Sequence, residues 1–262
     1  MKKDLKIHKV EIDENLFNSV DLEPFIFPSL SVFVGSVAAG KTTTLYNLIK
    51  ITDEIFNGNV ILISPTIKND PILMKMVDEE MIIEYFEEYS NESMKKILNV
   101  IKEEEANEKY LIVMDDILSM TPRNNTREAR WWNSFISTYR HGGGICGEGQ
   151  ISLMFFTQYY KDMGVVIRSN MSYMGLLGVH SEKHIKSYAE ELSAPCNGTE
   201  EGFYDCYKKA KCGKFDFLFL DFRKLRAFRN LDEKLYDRDE DYENKEKCKV
   251  IEDTKDSEDN SE

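Results

Sequence analysis

Apolar residues recur along the chain in short runs that stop abruptly at polar or glycine positions: VFVG (32–35), VILISPT (60–66), YLIVMDD (110–116), ISLMFFTQ (151–158), YMGLLG (173–178) and FDFLFLDF (215–222). Each predicts a strand. Between most of them lie stretches with helical spacing, notably NESMKKILNVIKEEEANEK (91–109) and REARWWNSFISTYRH (127–141), and residues 43–50 predict a further helix after the first run. Strands that are apolar on both faces and alternate with helices predict an α/β fold with a mainly parallel central sheet flanked by helices. No internal repeat is present.

The ends of the chain read differently. Residues 1–30 mix charge with a late apolar patch, PFIFPSL, whose two prolines predict an extended segment, an N-terminal arm or edge strand. The domain itself is expected over 31–225. Residues 226–262 are expected to form an acidic, disordered tail: from position 232 onward there are 14 Asp/Glu against 6 Lys/Arg, with too few large apolar residues to offset the entropy of ordering. Such a tail is either a solvated bystander or an electrostatic brake or docking peptide.

Composition narrows the class. The 262 residues, 42% of them apolar, suffice for one α/β domain with extensions or two small ones. No uninterrupted apolar run approaches the roughly 20 residues of a membrane span. The start, MKKDLKIHKVEIDEN, carries charge where a signal peptide needs its apolar region, so a soluble protein without membrane insertion is expected. Five cysteines without a C-x-x-C pair fit free thiols in a reducing compartment. A net charge of −13 argues against a surface generally adhesive to nucleic acid.

The chemistry begins at GSVAAGKTT, where Gly35, Gly40, Lys41 and Thr42 fit Gly-x-x-x-x-Gly-Lys-Thr. Glycines let the backbone turn tightly enough for successive N–H groups of Gly35, Ser36, Val37, Ala38, Ala39 and Gly40 to converge on phosphate oxygens. The helix that follows, from Thr43, adds its positive N-terminal end. Lys41 then reaches the β- and γ-phosphates and the Thr42 hydroxyl holds Mg²⁺. The pattern predicts an ATP-type triphosphate site with Mg²⁺ and a P-loop NTPase fold.

Hydrolysis needs more. YLIVMDD supplies adjacent acids at a strand end, Asp115 to orient the Mg²⁺ shell and Asp116 to polarise the attacking water. Gln158, closing ISLMFFTQ, is either a polar strand end or a group that senses the γ-phosphate or orients water. Arg140 closes a helix before a glycine-rich turn; it either makes a local ion pair or reaches a neighbouring subunit's nucleotide as an arginine finger. In TPRNNTREARWW (121–132), Arg123, Arg127 and Arg130 precede Trp131 and Trp132, a candidate DNA contact that competes with a helix core bordered by solvated arginines. His180 and His184 stand four apart, with Cys196, Cys206 and Cys212 downstream, but their spacings match no familiar zinc site, and they are read as ordinary surface or packing residues.

The ordered set GSVAAGKT, IVMDD, YRH, FFTQYY and VIRSN resembles the DNA-packaging ATPases of large double-stranded DNA viruses and virophages, the poxvirus-type branch of the FtsK/HerA superfamily with a RecA/FtsK-like fold. The likeness covers roughly residues 30–222. It implies Lys41 and Thr42 in the nucleotide loop, Asp115 and Asp116 as the metal-and-water pair, Gln158 as sensor, Arg140 at the arginine-finger position and Arg168 in a further motif of open role. The superfamily often has Asp-Glu where this chain has Asp-Asp. The resemblance further implies a homo-oligomeric ring, pentamer or hexamer, acting on double-stranded DNA, a capsid vertex or membrane-associated capsid protein as partner, and work in the virion or cytoplasmic virus factory. Two rivals stand beside this reading: a P-loop small-molecule kinase, and a nucleotide-gated scaffold protein with negligible turnover.

Overall fold

The computed structural model describes residues 20–103, 108–118, 121–122, 126–144, 150–178 and 180–241. A short antiparallel hairpin, β1 (Val20–Leu22) and β2 (Phe25–Phe27), precedes β3 (Leu30–Val34), α1 (Lys41–Ile51), α2 (Asp53–Phe56), β4 (Val60–Ile63), α3 (Pro71–Asp78) and β5 (Glu84–Phe86). Then come α4 (Asn91–Glu103), β6 (Tyr110–Asp115), α5 (Arg127–Thr138), β7 (Ile151–Thr157), α6 (Val165–Asn170) and β8 (Tyr173–Leu176). Helices α7 (Glu182–Leu192) and α8 (Glu200–Ala210) lead to β9 (Leu218–Asp221), β10 (Arg226–Arg229) and β11 (Glu233–Asp237). Nine strands make one sheet in the order β11-β10-β9-β8-β3-β7-β6-β4-β5. From β8 to β5 every pairing is parallel, and β9, β10 and β11 add an antiparallel edge.

The uninterrupted apolar runs have a direct cause: both faces of the sheet are covered. Leu30, Val32 and Val34 of β3, with Ile112 and Met114 of β6, face one cluster with α4, α5, α7 and α8. Phe33, Leu111, Val113 and Phe156 face the other, packed under α1, α2 and α3. Helix starts follow from local chemistry: Asp70 accepts from the N–H groups of Ile72 and Leu73 with Pro71 in the first turn of α3, while Thr126, Ser181 and Thr199 cap α5, α7 and α8. Trp132 is buried against Tyr89 and Phe135, and Trp131 stacks on Phe135 at 5.8 Å, so this aromatic pair is helix core.

Two expectations about the chain's organisation are corrected. The N-terminal patch is no loose arm and no edge of the main sheet: Phe25 and Phe27 are buried, with Phe25 edge-on to Tyr173 and Phe219. Arg223 donates to the Ile26 and Pro28 carbonyls, and Glu23 pairs with Lys224 and Arg226, which tie the hairpin to the far end of the chain. The boundary expected at 225 also fails, because 226–229 and 233–237 are strands of the sheet, with Ala227 and Phe228 buried. The rest of the expected tail, 242–262, lies outside the described residues, as do residues 1–19 of the expected arm. His180 precedes the Ser181 cap of α7, and His184 lies within that helix.

His180 is buried edge-on to Tyr188, and its Nε2 has no hydrogen-bond partner among the described residues. Burial, with Lys211 and His184 nearby, pushes its pKa down to about 4. The folded state therefore binds fewer protons than the unfolded chain between about 4 and 6.5, and stability is lost as pH falls through that window. A drop of about 3 kcal/mol is expected between pH 7 and pH 4 from this group. His180→Phe, which keeps the aromatic packing, is expected to flatten that part of the stability–pH curve in chemical denaturation.

Candidate functional site

The loop after β3 is built by close approach. Gly35 donates its N–H to the Thr157 carbonyl at 3.0 Å and Ala39 its N–H to the Ser36 carbonyl at 3.2 Å, so these two N–H groups, expected on phosphate, instead brace the loop, and a Cβ at Gly35 would stand 3.0 Å from the Cβ atoms of both Ala39 and Leu177. Gly178, at φ +67°, lies where a Cβ would come within 2.7 Å of Ala39. These contacts hold Ser36, Val37 and Ala38 outward as an exposed crest. Gly40, at φ 91°, begins α1 without any side-chain cap, so the first N–H groups of that 11-residue helix are presented to a ligand rather than consumed locally.

A cleft of about 600 Å³ opens over this crest, lined by Lys41, Thr42 and Thr43 on one wall and by Asp70, Asp115, Asp116, Gln158 and Phe215 around the rest. Residues from four strand ends meet there because β3, β7, β6 and β4 are neighbours and all finish at the same edge. Lys41 donates to the Gly35 carbonyl at 3.1 Å and stands 3.9 Å from Asp116. The register that pairs Asp115 with Phe156 carries the next residues into contact: Gln158 Nε2 donates to Asp116 Oδ2 at 3.2 Å. Asp116 has φ 49°, a left-handed conformation uncommon outside glycine, and its N–H is fixed to the Phe156 carbonyl at 2.9 Å.

Asp115 is deeper. Ser64 Oγ, at the end of β4, donates to its Oδ2 at 2.9 Å. Burial, with Asp116 beside it, pushes the Asp115 carboxyl up to about 6, against the pull of Ser64 and Lys41. Thr42 Oγ1 donates to Asp70 Oδ2 at 3.2 Å. The donor set around Thr42 is thus hydroxyl and carboxylate oxygen, the chemistry a hard cation such as Mg²⁺ takes, and a buried carboxylate disfavoured as a bare anion gains from one. Among the described residues no cluster of three or more His, Cys, Asp or Glu could hold a metal alone. Mg²⁺ is usually bound through one or two carboxylates plus substrate phosphates.

The expected arginines stand elsewhere. Arg140 donates to Tyr139 Oη at 3.1 Å and approaches Ser172 Oγ at 3.5 Å. Ser172 bonds to Leu30 at the start of β3, so the five residues of that strand, about 16 Å, separate Arg140 from the loop. Arg168 pairs with Glu191 at 2.7 Å, an acceptor shared with Tyr160. Arg127 and Arg130 are exposed on α5, and Arg123 lies outside the described residues. Sequence reasoning passed over Ser64, Asp70, Gly178 and Phe215. Only Asp70 carried a local signal, the Asp-Pro pair that starts α3.

The fold is similar to that of B204, the DNA-packaging ATPase of Sulfolobus turreted icosahedral virus, with a TM-score of 0.57 at 14% identity over 78% of this chain and 97% of that one. It is also similar to the genome-packaging NTPase B204 of Sulfolobus turreted icosahedral virus 2 in complex with AMP (TM-score 0.55, 11% identity, 77% and 96% coverage) and with ATP-gammaS (0.54, 11%, 77% and 95%). At such identities the likeness establishes the P-loop ATPase fold. No curated protein matches the chain. Among the described residues no helix is long and apolar enough to cross a membrane. Residues 17–192, more than half the chain, match the Poxvirus A32 protein family, and the chain belongs to that family, the packaging ATPases that its ordered motifs resemble.

Proposed function

We propose that the protein is an ATPase that drives double-stranded DNA into a preformed viral capsid, working as a ring whose subunits share their nucleotide sites. The observation that carries this reading is the cluster of Lys41, Asp116 and Gln158 at the mouth of a triphosphate-sized cleft. The loop N–H groups and Lys41 bind and orient the β- and γ-phosphates. Asp116, held by the Gln158 amide and by its own N–H, accepts the hydrogen bond of an attacking water and takes its proton as the bond to the γ-phosphorus forms and the bond from that phosphorus to the bridging oxygen breaks, ADP leaving with the oxygen. Thr42 and Asp115 would hold Mg²⁺, which would supply charge neutralisation at the phosphate oxygens. Gln158 bridges Asp116 and the end of β7, so loss of the γ-phosphate is felt along that strand.

Arg140 stands too far along β3 to reach the nucleotide of its own subunit, and the residue is exposed. It acts in trans, stabilising transition-state charge in the neighbour. The acidity of the chain, −13 overall, requires that DNA contacts be concentrated, and exposed Arg127 and Arg130 are candidates for a pore lining. A pentameric or hexameric ring at a capsid vertex, in the virion or the virus factory, completes the reading. The test mixes two inactive variants: Arg140→Ala and Asp116→Ala subunits, shown to co-assemble, are expected to regain part of the wild-type ATPase rate at intermediate ratios. Absence of rescue at every ratio contradicts a shared site.

A further inference from the structure

We propose that Phe215 is the stacking platform for the base of the bound nucleotide, and that the site consequently prefers purine to pyrimidine triphosphates; this rests on the nucleotide-site reading above. Phe215 is 60% exposed, in a chain whose other phenylalanines on the same strand approach, Phe217 and Phe219, are buried. It lines the phosphate cleft, and a Cβ at Gly40 would stand 3.4 Å from its Cδ1. The ring is thus only partly packed and leaves most of its surface open at the cleft.

The ring is held there by a braced turn. Asp216 accepts from the Gly213 N–H at 2.7 Å, from Asn230 at 3.3 Å and from Arg229 at 3.2 Å, while Lys211 Nζ donates to the Asp216 carbonyl at 2.5 Å. Phe217, next but one, is pinned through its N–H to Asn230 and packs against Phe33 of β3. The turn is therefore fixed on both sides of Phe215 while the ring itself projects. A rigid aromatic loses little entropy when a base stacks on it. Lys214 places its ammonium 5.1 Å from the ring centroid, an exposed cation contact weaker than base stacking and displaceable by it.

Sheet order sets the direction of the ligand. Asp116 and Gln158, which define the reacting phosphate end, come from β6 and β7 on one side of β3. Phe215 enters ahead of β9, on the other side, where β8 and β9 lie. A triphosphate lying across the loop with its γ-phosphate at Asp116 points its nucleoside toward Phe215. Stacking reads the π surface of a base rather than its hydrogen-bonding edge, so ATP and GTP bind alike and UTP more weakly.

Binding of a non-hydrolysable ATP analogue and of inorganic tripolyphosphate, measured by calorimetry on the full chain, tests this. Phe215→Ala is expected to weaken the ATP analogue about tenfold, to leave tripolyphosphate unchanged, and to shrink the wild-type preference for ATP over UTP; Phe215→Trp restores both. Wild-type affinity for the ATP analogue in Phe215→Ala overturns the stacking role alone. Equal loss of the analogue and of tripolyphosphate also overturns it, since the ring would then only shape the loop. Failure of the wild-type chain to bind either ligand overturns the nucleotide-site reading and the platform with it. Because the ring is exposed, an unchanged melting temperature accompanies the expected result.

Discussion

Lys41→Ala is expected to cut ATP turnover about a thousandfold, because a cation about 4 Å from phosphate charge, at an effective dielectric near 20, contributes about 4 kcal/mol. The fold tolerates the change. Lys41 opens α1, the polar partners of its side chain among the described residues are the Gly35 carbonyl and, at 3.9 Å, Asp116, and alanine is the best helix former. The defect therefore belongs to the site and not to stability. Phosphate release under saturating ATP and Mg²⁺, on protein with an unchanged melting temperature, is the measurement. Turnover within a few-fold of wild type would remove Lys41 from the chemistry and with it the assignment of the loop.

Asp116→Asn is expected to separate binding from chemistry. Asparagine keeps the size of the side chain, tolerates the left-handed backbone at φ 49° and can still accept from Gln158, so the cleft retains its shape. It has no carboxylate to take a proton. Loss of a positioned general base lowers turnover by about 10²–10⁴. Affinity for ATP should stay within a few-fold of wild type, or rise, since one negative charge near the phosphates is gone. Single-turnover phosphate release together with nucleotide affinity checks both halves. A variant that hydrolyses normally would show that Asp116 only orients its neighbours.

The parallel half of the sheet was legible because its strands are buried on both faces. YLIVMDD and ISLMFFTQ read as unbroken apolar runs, and their strands are Tyr110–Asp115 and Ile151–Thr157. The edges were not legible. In β10, Arg226 and Arg229 bracket Ala227 and Phe228, and β11, Glu233–Asp237, has no fully buried residue and opens a charge-rich stretch that reads as tail. β5 is three residues with an exposed Glu84. Arg226 escapes sequence reasoning for a further reason: its guanidinium is buried against Asp221 at 2.8 Å, a pair formed only once β9 and β10 are side by side.

At the site, residues joined by a contiguous motif were visible and residues joined by topology were not. The spacing of Gly35, Gly40, Lys41 and Thr42 announces a phosphate loop from sequence alone. Ser64 reaches Asp115 only because β4 and β6 are neighbours, and Asp70 reaches Thr42 only across the cleft. Phe215 sits in an apolar run that reads as strand, yet β9 begins three residues later and leaves it in the preceding turn. Gly178 shows the same limit, since its closeness to Ala39 comes from β8 lying beside β3.

Hydrolysis in this cleft is proposed to move the protein along duplex DNA. Displacement of a labelled third strand from a triplex-bearing duplex tests it most directly, with free phosphate followed in the same reaction. Displacement is expected to require ATP and Mg²⁺, to be abolished by Lys41→Ala, and to proceed while phosphate is released to water. Phosphate release without strand displacement by an assembled, DNA-bound protein, or labelled phosphate recovered on a nucleoside, would contradict it.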